Sequence, residues 1–98
     1  MSDDEEDRLM ALLESQHTFP GPYAFKVICR NAPGAPESIV AGILARTGLA
    51  VVLPDDGMKA SRTGKYVSMT LRLEANLAQD VLDVYACLRS FGSVIQYF

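Results

Sequence analysis

The sequence predicts an α+β sandwich in which two helices cover one face of a four-stranded antiparallel sheet. Three observations carry that expectation. The run from Lys65 to Leu73 alternates strictly, with Tyr66, Ser68, Thr70 and Arg72 on one face and Val67, Met69, Leu71 and Leu73 on the other. A period of two over this length marks a strand with one face in a core and one in water. Apolar residues at three-to-four spacing mark two helices, one after Pro36 and one after Asn76. The elements then follow one another in the order β-α-β-β-α-β.

Residues 3–15 open the chain with crowded carboxylates, which favour the start of a helix, and a partial stripe of Leu9, Leu12 and Leu13. This segment is either a docked accessory helix or a frayed arm. It ends in the proline- and glycine-rich run His17 to Tyr23. Residues 1–18 therefore form an acidic arm or short helix, and residues 19–98 a single domain.

Tyr23 to Arg30 reads as the first strand, with Phe25, Val27 and Cys29 facing one way and Lys26, Ile28 and Arg30 the other. Asn31-Ala32-Pro33-Gly34 is turn chemistry, and Pro36 suits a first helical turn, where its missing N–H costs nothing. The first helix runs to about Arg46, burying Ile39, Ile43 and either Leu44 or Val40, and Thr47-Gly48 closes it. Leu49 to Leu53 is a β-rich run and the expected second strand, stopped by Pro54-Asp55-Asp56-Gly57. A loop carrying Lys59, Arg62 and Lys65 leads to the third strand. Asn76 is the expected cap of the second helix, with Gln79 as its reciprocal partner. Leu77, Val81, Val84, Tyr85 and Leu88 give that helix its stripe, Gly92 ends it, and Ser93 to Phe98 forms the last strand. With right-handed crossovers this order has one dominant solution, the ferredoxin-like βαββαβ fold. Its first and third strands lie in the middle, and one sheet face stays open.

The composition excludes several function classes. The net charge of −3 hides an asymmetry: five of the twelve acidic residues lie between Asp3 and Asp7, and residues 8–98 hold nine Lys/Arg against seven Asp/Glu. A nearly neutral body does not support nucleic-acid binding by net charge. No apolar run approaches the ~20 residues needed to span a bilayer, and no basic-then-apolar signal opens the chain, so no membrane role and a cytoplasmic location are expected. Cys29 and Cys87 sit inside apolar patterns and are expected as reduced, buried thiols. One histidine, His17, without a close cysteine gives no metal-ligand spacing, and no cofactor motif is present.

Two segments carry a family resemblance. Phe19-Pro20-Gly21-Pro22-Tyr23-Ala24-Phe25-Lys26-Val27 resembles the F-P-x-x-[FY]-x-[FY]-K-V opening of the YbeD-like family of small bacterial proteins. Ser61-Arg62-Thr63-Gly64-Lys65-Tyr66-Val67-Ser68-Met69-Thr70 resembles that family's S-x-x-G-x-Y-x-S-v-T strand, and Tyr85 and Leu88 match its second-helix Y-x-x-L. The resemblance covers most of residues 19–98. It implies a ferredoxin-like fold similar to the regulatory domains called ACT, and it implies no established activity.

Candidate sites follow from the pattern. Asn31-Ala32-Pro33-Gly34 resembles the [DN]-x-P-G that ACT domains place between first strand and first helix; there Asn31 would hydrogen-bond an amino-acid or anionic ligand and Gly34 would admit it. An ordinary turn uses the same residue types for geometry alone. The open sheet face would gather Lys26, Arg30, Tyr66, Ser68, Thr70 and Arg72, a mixture suited to a protein partner, a second copy of the chain or a small anionic ligand. RNA recognition needs two or three exposed aromatics on the central strands, and this pattern offers Tyr66. The basic loop at 59–65 lacks phosphate-loop spacing and is expected to be solvated. Catalysis has little support, because His17 has no evident nucleophile to activate. The expected role is non-enzymatic: a regulatory or adaptor module acting through the open face, as a homodimer favoured by the exposed edge of its last strand and the half-open sheet. The rival is a small-molecule sensor using the first turn.

Overall fold

A computed structural model describes residues 3–98; Met1 and Ser2 of the expected arm lie outside the described residues. The elements are α1 (Asp3–Gln16), β1 (Gly21–Arg30), α2 (Ala35–Thr47), β2 (Met58–Ala60), β3 (Tyr66–Ala75), α3 (Ala78–Arg89) and β4 (Val94–Tyr97). The four strands form one antiparallel sheet in the order β2-β3-β1-β4, with β1 and β3 central as expected. This order and its connections are those of a compact ferredoxin-like fold.

The core lies between the sheet and helices α2 and α3. Phe25, Val27 and Cys29 of β1 and Val67, Met69, Leu71 and Leu73 of β3 point into it. Ile39 and Ile43 of α2 and Val81, Val84 and Leu88 of α3 meet them. Full burial of each large aliphatic side chain stabilises the fold by about 1.5–3 kcal/mol relative to exposure. On α2 the stripe includes half-buried Val40, whereas Leu44 is exposed. Gly48 closes α2 in the left-handed conformation and donates its N–H to the Leu44 carbonyl. Cys29 and Cys87 are both buried and unbridged.

The edge beside β3 differs from the expectation. Within Leu49 to Leu53, only Val52 bridges to the sheet, opposite Arg72. The chain then loops out through Pro54–Gly57 and rejoins the same edge: Gly57 O accepts from Thr70 N at 2.8 Å, and Met58–Ala60 pairs with Met69–Val67. The physical reason is position. An edge strand tolerates a bulge and a proline that a central strand does not. Lys59, expected in a loop, is therefore a strand residue.

The start of α3 also differs. Strand β3 continues to Ala75, and the N-cap is Leu77, not Asn76. Asp80, rather than Gln79, reaches back: its Oδ2 accepts from the backbone N–H groups of Asn76 and Leu77 at 3.0 and 3.2 Å. A charged acceptor outcompetes a neutral amide for these donors and also favours the positive end of the helix dipole. Leu77, expected in the apolar stripe, is 63% exposed because it lies before the first helical turn.

The N-terminal segment is a docked helix. α1 packs on α3, with Leu13 against the core cluster and Gln79 Nε2 donating to Glu6 Oε1 at 3.3 Å.

Candidate functional site: the open sheet face

Alternation along β1 and β3 turns Lys26, Ile28 and Arg30, and Tyr66, Ser68, Thr70 and Arg72, away from the core. Antiparallel register then aligns them in rows. Arg30 lies opposite Tyr66, Ile28 opposite Ser68, and Lys26 opposite Thr70. Facing residues of this kind have Cβ atoms only ~5 Å apart, and Lys26 Nζ donates to Thr70 Oγ1 at 2.8 Å. All six of the interaction-face residues expected from the sequence are thus brought to one surface.

The edge strands widen this surface. Lys59 stands opposite Ser68, Val52 opposite Arg72, and Gln96 opposite Ile28. Phe98 and Lys26 exchange both backbone hydrogen bonds, at 2.7 and 2.8 Å, which places Phe98 in the Lys26–Thr70 row. Val52, Tyr66 and Phe98 are 59%, 42% and 58% exposed. Four cations, Lys26, Arg30, Lys59 and Arg72, share the face with the carboxylate of Glu74. The face is consequently cationic and studded with apolar groups, while the acidic helix α1 lies on the opposite side of the sheet. Lys59, expected in a solvated loop, and Val52 and Phe98 join the face through register with a neighbouring strand, which no local pattern encodes. The alternation Gln96–Phe98 was the available signal for the last of these.

Asn31 and Gly34 lie at the end of β1, beside the hairpin that precedes β3. Asn31 Nδ2 donates to the Gly64 carbonyl at 2.8 Å, and its backbone N–H to Lys65 O at 2.9 Å. The side-chain amide therefore clasps the hairpin. Gly34 has φ 75°, a left-handed conformation, and a Cβ there would meet open space. Backbone conformation, not close approach, accounts for glycine at this position.

Chemistry elsewhere is muted. Burial pushes the thiol pKa values of Cys29 and Cys87 up, in Cys87 against the opposing influence of Arg46, and a thiol held protonated is a poor nucleophile. Burial, followed by the hydrogen bond and charge interaction with Tyr23, raises Tyr85 well above the usual phenol range. Among the described residues no group of three or more His, Cys, Asp or Glu is gathered to hold a metal ion. Among the same residues no helix is long and apolar enough to cross a membrane.

Fold and surface together define a small helix-backed sheet domain with one open, cationic face. Residues 14–97 match the family described as a protein of unknown function, DUF493, and the chain belongs to that family, which is the YbeD family. No curated protein matches the chain.

Proposed function

We propose that this protein is a non-enzymatic regulatory or adaptor module that binds a protein partner through its open sheet face. The observation that carries the reading is the coincidence, on one uncovered surface, of Lys26, Arg30, Lys59 and Arg72 with exposed Val52, Tyr66 and Phe98. Exposed apolar groups set among charges are the makings of an interface. The complementary partner surface is acidic where it meets Lys26, Arg30 and Arg72 on the central strands and apolar where it meets Val52 and Phe98 at the two edges. A likeness to the regulatory domains called ACT, which the family resemblance implies, supports a regulatory role, and two unbridged thiols suit the reducing cytoplasm. The outer edge of β4 suits self-association into a homodimer.

Affinity capture from the native cell, with wild type and with a Tyr66→Ala/Arg72→Ala variant, tests the face. The expected result is loss of one specific partner, whose binding to the purified wild type then weakens with added salt. Identical captures sink the proposal. Light scattering that finds a monomer at every usable concentration removes the homodimer without touching the adaptor role.

A further inference from the structure

A cavity of about 500 Å³ lies between α1 and α3, on the helix side of the sheet and away from the open face. Its size is in the range of small-molecule sites. Leu9 and Leu13 of α1 and Leu82 and Ala86 of α3 make apolar walls. Tyr23, Tyr85 and Tyr97 contribute from three different elements, β1, α3 and β4. The hydroxyls of Tyr23 and Tyr85 are 3.0 Å apart and share one hydrogen bond. That bond uses one of two hydroxyl protons and leaves the other to donate.

The cavity is polarised along its length. Gln79 Nε2 donates both to Glu6 Oε1, at 3.3 Å, and to Asp83 Oδ1, at 2.9 Å, drawing the two carboxylates to one amide in the N-terminal halves of α1 and α3. A neutral amide between them compensates neither charge. Arg89, which also lines the cavity, lies six residues further along α3 than Asp83, about 9 Å of axial rise. A negative end and a positive end are thus separated by apolar walls and phenolic hydroxyls.

From this juxtaposition we infer that the cavity binds a small, extended zwitterion. Its ammonium group sits at Glu6 and Asp83, its carboxylate at Arg89, and its apolar body between the leucines. The class comprises ω-amino acids and the shortest peptides. An ordinary α-amino acid carries its charges too close together to reach both ends. A simple amine or carboxylic acid leaves one end unmatched. Because α1 supplies one wall, an occupant also holds α1 against α3. This site is separate from the sheet face and does not rest on the adaptor reading.

The test titrates the full chain with γ-aminobutyrate, ε-aminocaproate and ω-aminocaprylate, using hexylamine, hexanoate and leucine as controls. Calorimetry reads affinity and amide hydrogen exchange reads α1. The longer ω-amino acids are expected to bind at least about tenfold more tightly than the single-charge controls and leucine, since each end adds a charge-assisted contact. Arg89→Gln is expected to reduce their affinity to that of hexylamine, and Asp83→Asn to weaken hexylamine and the ω-amino acids alike. Thermal melting verifies that both variants remain folded. Tyr66→Ala/Arg72→Ala is expected to bind the probes as wild type does, which separates this site from the sheet face. Slower exchange across Leu9 to Gln16 is expected on saturation. Absence of saturable binding, equal binding of leucine or the single-charge controls, or binding that leaves α1 exchange unchanged overturns the inference.

Discussion

The hydroxyl oxygens of Tyr23 and Tyr85 stand 3.0 Å apart, joining the first strand of the sheet to the helix that covers it. The two rings meet nearly edge-on, with centroids 6.3 Å apart, and Tyr85 also packs against Phe25 and Tyr97. A partly buried hydroxyl pair of this kind contributes about 1 kcal/mol of net stability. Tyr85→Phe is expected to lose about that amount in urea denaturation. In a double-mutant cycle with Tyr23→Phe, the two losses should fall short of additive by about 0.5 kcal/mol or more. Full additivity would mean that the pair is not coupled.

The same pair sets a pH dependence. Burial, the hydrogen bond to Tyr23 and the neighbouring phenols raise the Tyr85 pKa above its ordinary value of 10.0. Above about pH 10 the unfolded chain therefore releases a proton that the folded chain keeps. The contribution to stability is complete below that pH and is lost as pH rises toward the folded-state value. Melting temperature followed from pH 9 to 11, roughly astride the free phenol value, should fall less steeply in Tyr85→Phe than in wild type. Parallel profiles would exclude Tyr85 as a source of the alkaline loss.

Asp80 is expected to matter where Asn76 does not. Its Oδ2 accepts two backbone N–H groups at the start of α3, so Asp80→Ala should cost about 1 kcal/mol, the usual value of a lost helix cap. Asn76→Ala should change stability by no more than about 0.5 kcal/mol. Chemical denaturation of the two variants side by side decides which residue terminates the helix.

These cases show what was legible in the chain and why. Strand β3 was plain from sequence because its alternation is local, and β1 was plain for the same reason; their pairing then brought Lys26 beside Thr70 and Arg30 beside Tyr66. The edge was not plain. Val52 and Met58 join one neighbouring strand on either side of a looped-out Pro54–Gly57, and no pattern within the segment encodes a partner's register. At the start of α3 two polar residues one position apart, Gln79 and Asp80, compete for the same donors, and the winner depends on where β3 ends. The cavity beneath α1 was invisible, since it exists only once Leu9 and Leu13 are set opposite Leu82 and Ala86.

Leu71 and Leu77 separate periodicity from burial. Leu71 is fully buried in the centre of β3, and Leu71→Ala should cost about 2–5 kcal/mol through lost transfer energy and a residual cavity. That is a large share of the roughly 5–15 kcal/mol that holds a domain of this kind together. Leu77 is 63% exposed, so Leu77→Ala should stay within about 0.5 kcal/mol of wild type. A large loss at Leu77 would show that it packs against something in solution, and self-association would then be the first thing to measure.

The turn after β1 yields a last prediction, on whether Gly34 is there for backbone geometry or for a ligand. At φ 75° an alanine meets no neighbouring atom but adopts the left-handed conformation, at about 1–2 kcal/mol. Asparagine enters that region more readily, because its short polar side chain can hydrogen-bond locally. Gly34→Ala should therefore lower stability by about 1–2 kcal/mol, and Gly34→Asn should recover part of the loss. Equal losses in the two variants would contradict a conformational cause, since only a steric or binding requirement for the missing side chain treats them alike. Thermal melts of both proteins, with and without added amino acids, give the answer: a geometric glycine predicts the same Ala-to-Asn difference in every sample.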